Sequence, residues 1–151
     1  MSDPIINVKV KRMNGNYRAL PTYATAASAG VDLCANLKEA VLIKPGENVK
    51  ISTGLAIELP SRSVVALVFA RSGLASRYGI GLTNGVGVID SDYRGELQVL
   101  VQNLGEQLVT INPGDRIAQM VFMPVFQVLF EEVSELQKTP RGAGGFGSTG
   151  I

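Results

Sequence analysis

The sequence predicts an all-β domain, a jelly-roll-like sandwich or distorted barrel, and three observations support that fold class. Apolar and polar residues alternate over many short stretches, which is typical of strands with one buried face. Turn residues separate these stretches, since the chain of 151 residues contains 17 glycines and 7 prolines. Helix signals are almost absent, so sheets packed on sheets are the expected architecture.

The strand prediction depends on runs with a period of two. In residues 6–10, 55–59 and 97–101, apolar side chains occupy every second position, so each run is expected to form a half-buried strand. Two proline–glycine pairs, at 45–46 and 113–114, each follow a short run that contains isoleucine. Each pair indicates a strand that enters a tight turn.

Two other stretches have a pattern that could be helical. Residues 72–78 predict a short helix with Ser72 near its N-cap and Gly79 at its end. Residues 128–138 are better interpreted as a strand that leads into an exposed segment. Bulky apolar residues between 121 and 130 exceed what one face of a strand can bury, so they either join the core or face a second chain.

Length and composition indicate one core-forming unit. Hydrophobic residues make up 46% of the chain and charged residues 18%, which excludes a disordered protein. We expect a single β domain over residues 1–140, followed by a glycine-rich segment of the same domain over residues 141–151. A net charge of +1 gives no general attraction to nucleic acid or to an anionic membrane, so neither is expected as a partner. No export signal or membrane span is evident, and the protein is expected in the cytoplasm.

The residue types that are missing exclude whole classes of chemistry. The chain contains no histidine, which excludes serine–histidine triads, histidine-ligated zinc and imidazole acid–base catalysis. Its single cysteine, Cys34, excludes an intrachain disulfide and a paired-cysteine metal site. Catalysis would therefore depend on carboxylates, guanidinium groups, hydroxyls, the backbone and a borrowed hard cation.

Three charged residues lie in apolar surroundings, where an unpaired charge costs several kcal/mol. These are Asp32, Arg71 and Asp90, and each alone has a structural interpretation: a turn acceptor, an ion-pair partner and an Asx-turn. The run Arg71-Ser72-Gly73 also places a guanidinium, a hydroxyl and an accessible backbone side by side. Those are the donors that a phosphate group prefers, although the run does not match the Walker sequence.

The tail over residues 141–150 has three interpretations, because five of its ten residues are glycine. Composition alone favours a disordered end. A nucleic-acid contact is disfavoured by the near-neutral charge and the single aromatic residue. The third interpretation is a lid with Arg141 for a phosphate, Phe146 for stacking on a base, and the hydroxyls of Ser148 and Thr149 for hydrogen bonds.

Five segments together resemble the motifs of the homotrimeric dUTPases, in the order of that family. They are residues 29–33 (AGVDL), 70–75 (ARSGLA), 84–96 (NGVGVIDSDYRGE), 114–120 (GDRIAQM) and the tail 141–150 (RGAGGFGSTG). The third and fifth are long and specific. The resemblance implies a jelly-roll homotrimer that hydrolyses dUTP to dUMP and pyrophosphate, with three active sites that are each shared between subunits.

The resemblance also implies a catalytic group and a metal. Asp90 would be the general base that activates the water attacking the α-phosphorus, and Arg71 and Gln119 would act with it on the phosphates. The cofactor would be Mg²⁺, held mainly by the triphosphate. Asp32 would contact the water shell of the ion or support the site.

The binding residues follow from the same resemblance. The third-motif hairpin would recognise uracil through its backbone, and Tyr93 would lie under the deoxyribose and exclude a 2′-hydroxyl. The tail would close from a neighbouring subunit, with Phe146 over the uracil and Arg141 on the γ-phosphate. The substrate-binding set implied is Arg71, Ser72, Gly73, Asn84, Gly87, Val88, Ile89, Asp90, Tyr93, Gln98, Gln119, Arg141, Phe146, Gly147, Ser148 and Thr149.

Two alternatives share the fold. A dCTP deaminase would need a base suited to attack at cytosine C4, and residues 90–93 together with the Phe146 tail do not fit that reaction. A nucleotide-sensing module without catalysis would have no need for Asp90.

Overall fold

The alternating runs form strands in the computed structural model of the chain, which describes residues 5–13 and 20–145. Every strand pair is antiparallel, and one short helix interrupts the strand order. The elements are β1 (Lys9–Arg12), β2 (Val31–Cys34), β3 (Val41–Ile43), β4 (Asn48–Ser52), β5 (Leu55–Glu58), β6 (Val64–Phe69), α1 (Ser72–Tyr78), β7 (Ile80–Leu82), β8 (Gly87–Ile89), β9 (Gln98–Asn103), β10 (Val109–Ile111) and β11 (Arg116–Pro124).

Four small sheets surround one apolar core. Their strand orders are β2-β11-β6-β8, β4-β9-β7, β1-β5 and β10-β3. Each sheet contributes side chains to the core, among them Leu33, Ile43, Ile57, Val101 and Ile117, all at most 4% exposed. The alternation predicted for β9 is confirmed, since its valines are buried and the residues between them are not. This all-β, jelly-roll-like arrangement is the fold class that the sequence predicts.

The helix α1 has the predicted length and end, but its cap is different. Arg71 occupies the N-cap position with no side-chain cap bond, so Ser72 is the first helical residue and not the cap. Gly79 ends the helix with a left-handed φ of 67°, and a Cβ there would lie only 2.6 Å from the backbone nitrogen of Gly105. No helix in the described part of the chain is long and apolar enough to cross a membrane.

Residues 128–138 contain no strand, so that part of the prediction is wrong, whereas the exposed segment that it was expected to lead into is confirmed. Strand β11 ends at Pro124, and no strand is assigned to residues 125–138. Leu129 and Phe130 are 98% and 91% exposed, so these side chains do not join the core of their own chain. A strand forms only where a neighbour accepts its backbone hydrogen bonds, and within the described residues nothing pairs with this segment.

A buried amide supports the turn after β9. Asn103 is fully buried, and its side chain donates to the carbonyls of Ile43 (2.9 Å) and Gln107 (2.7 Å) and accepts from the amide of Gly105 (3.0 Å). Three backbone groups, one at the end of β3 and two in the loop between β9 and β10, therefore share one side chain.

We expect Asn103→Ala to lower the free energy of unfolding by about 2–4 kcal/mol, because it leaves those three groups without partners. Urea denaturation of both proteins measures the difference. The control is Gln102→Ala, at the neighbouring position of β9, which should stay within about 0.5 kcal/mol of the parent. Equal unfolding midpoints for Asn103→Ala and the parent would contradict this role.

Candidate active site

Asp32 lies at the centre of a cluster that joins two strands and a helix start. It stands on β2 directly opposite Gln119 of β11. One carboxylate oxygen lies 2.8 Å from Nε of Arg71, and the other accepts a hydrogen bond of 3.2 Å from Arg116. Only 20% of the Asp32 side chain and 25% of the Arg71 side chain are exposed. The pairing is therefore partly shielded from water and holds Arg71 in a defined position.

The cluster borders a cavity of about 340 Å³ that is suited to an anion. One carboxylate faces two guanidinium groups, so the cluster of Asp32, Arg71 and Arg116 has a net positive charge, although Arg116 itself is not part of the cavity lining. Gln119 donates from its side chain to the carbonyl of Ala70 (3.1 Å), which holds the amide beside the helix start. The full lining is Ala24, Ser28, Ala29, Gly30, Asp32, Arg71, Ser72, Gly73 and Gln119. The structure thus brings together all the residues that the sequence assigned to phosphate binding in the main body of the domain.

Arg116 is a member of this cluster that sequence analysis missed. It lies in the fourth motif, but no role was assigned to it. A shift in strand register between Arg116 and Ala118 places Arg116 opposite Cys34, from where it reaches the Asp32 carboxylate. Its carbonyl also lies 3.4 Å from the guanidinium of Arg71. The available signal was weak, because Asp115 directly precedes Arg116 and the two together have the pattern of an ordinary charged turn, unlike the isolated charge of Asp32.

The third motif forms a turn followed by β8, the edge strand of the largest sheet, and not the predicted hairpin, because the preceding strand β7 pairs with β9 in another sheet. The turn at Gly85 has a left-handed φ of 69°, and β8 pairs with β6. A Cβ on Gly87 would lie 3.2 Å from the Cβ of Val68, so glycine here also permits β8 to pack on β6. Gly87, which the resemblance places in the substrate-binding set, therefore also has a packing role in the sheet.

A second cavity, of about 310 Å³, lies beside β8. Five residues of the predicted binding set line it: Val88, Ile89, Asp90, Tyr93 and Gln98. The predicted residues Asn84 and Gly87 are not in this lining. The remaining lining residues are Lys50, Glu96, Leu97 and Leu100. One side of a base or sugar could thus meet apolar side chains while its edge meets polar groups.

Asp90 presents an uncommitted carboxylate to this cavity. Its backbone carbonyl accepts from the amide of Tyr93 (3.2 Å), and Arg94 donates to the carbonyls of Ser91 (2.8 Å) and Tyr93 (3.1 Å). The turn is therefore fixed. Within residues 5–13 and 20–145 no side chain pairs with the Asp90 carboxylate. The residue is exposed, so anything that removes water from it must come from outside the described residues.

The two cavities lie at opposite ends of β6. Because Ile89 pairs with Ala66, Asp90 falls opposite Val65, whereas Arg71 follows the other end of the strand. At ~3.3 Å per strand residue, the six steps from position 65 to position 71 put the Cα atoms of Asp90 and Arg71 roughly 20 Å apart along the strand direction. The lining sets of the two cavities share no residue. A single chain therefore does not bring the predicted base to the predicted phosphate site.

The tail is described only in part. Arg141 is exposed, and its Nε donates to the carbonyl of Gly144 (2.9 Å) in a turn. The predicted residues Phe146, Gly147, Ser148 and Thr149 lie outside the described residues.

The oxygen donors of the first cavity suit a cation that arrives with its ligand. The described residues contain no group of three carboxylate or cysteine side chains that could hold a metal ion. Both oxygens of Asp32 already face guanidinium groups. Mg²⁺ commonly keeps several waters and binds through substrate phosphates, so this donor set is compatible with an ion carried by a triphosphate.

Comparison with known proteins agrees with this arrangement. The dUTPase family profile matches residues 16–150. A deoxyuridine 5′-triphosphate nucleotidohydrolase of Desulfitobacterium hafniense is 61% identical over 132 residues, which cover 87% of each chain. A protein of the same name from Acinetobacter baylyi is 49% identical over 148 residues, which cover 96% of this chain and 99% of the relative.

Solved structures give the same result. The dUTPase of Staphylococcus bacteriophage 80alpha, in a structure with dUPNHPP, superposes with a TM-score of 0.82 at 26% identity. The alignment covers 96% of this chain and 99% of the phage chain. The chain described here therefore belongs to the dUTPase family.

Proposed function

We propose that this chain hydrolyses dUTP to dUMP and pyrophosphate, which keeps uracil out of DNA and supplies dUMP for dTMP synthesis. The observation that most supports the proposal is the Asp90 carboxylate. It has no partner among the described residues, and it lies beside Tyr93 and strand β8. The family relationship supplies the substrate, and the two cavities supply places for its two ends.

Asp90 acts as the general base. Its carboxylate accepts a proton from one water, and the oxygen of that water attacks the α-phosphorus while pyrophosphate departs. A positioned base of this kind contributes about 10²–10⁴ in rate. The turn held by Arg94 fixes the backbone from which the carboxylate projects.

Arg71, Ser72, Gly73 and Gln119 hold the triphosphate. The guanidinium of Arg71 is pre-oriented by Asp32, so its positive charge is already in place when charge develops on the phosphoryl oxygens. The cofactor is Mg²⁺, which would supply further positive charge to the phosphates when bound. The charge pairing of Asp32 favours its supporting role over a direct place in the metal shell.

The backbone of β8 and of the turn before it recognises uracil together with Gln98, and Asn84 helps to fix that turn. Backbone donors and acceptors are rigid here, so a cytosine edge would leave polar groups unpaired, which is a strong form of rejection. The ring of Tyr93 lies under the deoxyribose, where a 2′-hydroxyl would meet it.

The active enzyme is a homotrimer in which each site combines residues from different subunits. Two features support this assembly. The separation of roughly 20 Å between Asp90 and Arg71 in one chain leaves each half-site incomplete. Exposed apolar side chains such as Phe126, Leu129 and Phe130, at 89–98%, offer a surface that a second copy can cover. The segment 141–151 closes over a neighbouring site, with Arg141 on the γ-phosphate and Phe146 over the base.

The reaction is placed in the cytoplasm, where a dUTP-hydrolysing enzyme meets the nucleotide pool. The near-neutral net charge of +1 supports a small-molecule substrate and not a nucleic-acid or membrane partner.

Pyrophosphate release across the four common dNTPs, dUTP and UTP, with and without Mg²⁺, tests the activity. We expect dUTP to be turned over far faster than the others, and turnover to fall when Mg²⁺ is chelated. Ammonia release from dCTP would contradict the proposal and identify a deaminase instead.

Asp90→Asn separates catalysis from binding. We expect turnover to fall about 10²–10⁴-fold, because the amide cannot accept the proton, while micromolar-class nucleotide binding remains. Steady-state kinetics and calorimetry with a non-hydrolysable dUTP analogue measure the two effects. The matched control, Asp92→Asn, removes an exposed carboxylate two residues away and should retain turnover. Unchanged turnover in Asp90→Asn would show that this carboxylate is not the base.

Subunit complementation tests the shared site. Asp90→Asn and Arg71→Ala chains should each be nearly inactive alone. When the two are refolded together, about a quarter of the sites should receive both intact residues, because a site draws them from different copies. Activity and mass by light scattering are the measurements, and Asp90→Asn refolded with itself is the control. No recovery of activity in verified mixed trimers would place both residues in one chain's site.

A further inference from the structure

Gly95 lies at a point where a side chain would collide with the ring of Tyr93. A Cβ built on Gly95 would lie 2.5 Å from Cζ and 2.9 Å from Cε2 of that ring, and closer still to its hydroxyl oxygen. The φ of Gly95 is outside the left-handed region, so the backbone itself would accept alanine. The obstacle to a side chain at this position is therefore the tyrosine ring.

The same ring is held by its hydroxyl. The hydroxyl of Tyr93 donates to the carbonyl of Glu96 at 3.0 Å. The carboxylate of Glu96 in turn accepts from the amide of Gly54 (2.7 Å) and from the hydroxyl of Ser52. The residue that holds the ring is thus anchored to the turn between β4 and β5.

This fixing is unusual for the location of the ring. Tyr93 is 44% exposed and lines the same cavity as Asp90. An exposed aromatic side chain normally gains entropy by sampling several rotamers. Here the absence of a side chain at 95 and the hydrogen bond to Glu96 together select one position, beside the general base.

We propose that Gly95 is a positioning residue that determines sugar specificity through Tyr93. This inference rests on the proposed hydrolysis of dUTP. The bare backbone at 95 lets the ring lie across it, at the height where it meets a 2′-hydroxyl. A methyl group at 95 forces the ring into another rotamer, which moves it from beneath the sugar and admits a ribonucleotide.

The test compares the parent with Gly95→Ala, Tyr93→Leu and the double variant. We expect Gly95→Ala and Tyr93→Leu each to raise the ratio of kcat/KM for UTP to that for dUTP by ~10-fold or more. The double variant should show no further rise over Tyr93→Leu, because the methyl group acts only through the ring. A purely structural role for Gly95 would not move this ratio.

Gly46→Ala is the control for loss of stability alone. Gly46 has a φ of 78° in an open turn with nothing within 4 Å of its Cβ position, so alanine there strains the backbone away from the cavity. The UTP-to-dUTP ratio of this variant should equal that of the parent.

Thermal melting keeps the proposal testable if Gly95→Ala folds poorly. The double variant should then melt at a higher temperature than Gly95→Ala, since removal of the ring removes the collision. A parent-like ratio in Gly95→Ala, an unchanged ratio in Tyr93→Leu, or a double variant as unstable as Gly95→Ala would each overturn the proposal. A parent protein that does not hydrolyse dUTP would instead contradict the proposed function. The melting comparison would still test whether Gly95 is needed for the position of the Tyr93 ring.

Discussion

The pairing of Asp32 with two guanidinium groups is the interaction on which the phosphate site depends. Arg71 and Arg116 come from the start of α1 and from β11, and without a carboxylate between them they would repel each other. Asp32 can serve both because β2 pairs with β11 and places it at their junction. Removal of Asp32 would leave two neighbouring guanidinium groups, which are only partly shielded from water, without their shared counter-charge. Strand pairing therefore fixes the position of charge before any nucleotide binds.

The antiparallel sheet imposes a second constraint, on where catalysis can occur. Because β8 is antiparallel to β6, Asp90 follows β8 at the end of the sheet that is away from Arg71. No change of rotamer covers roughly 20 Å, since an extended side chain spans only a few backbone steps. In the proposed trimer, catalytic competence is therefore coupled to association of chains, and the same mass action that stabilises the oligomer also populates the active form.

Sequence analysis predicted local structure well and long-range pairing poorly, for identifiable reasons. The alternation at 97–101 and the stop at Gly79 are local signals, so the strand and the helix end were both correct. The partner of Asp32 lies 84 residues away, and Arg116 was missed because only the register of β2 on β11 brings the two together. The strand expected at 128–138 does not form, because residues with high β propensity become a strand only where a pairing edge is available.

The exposure of Asp90 reflects what a single chain can and cannot fix by itself. A carboxylate in water is fully hydrated, and a hydrated base cannot hold one water in a fixed orientation for attack. A single chain therefore fixes the turn that carries Asp90 and the position of the Tyr93 ring. In the proposed trimer, the nucleotide and neighbouring copies exclude the solvent. Because a protein without histidine depends on carboxylates and guanidinium groups for this reaction, its catalytic strength comes from when and how those groups are covered.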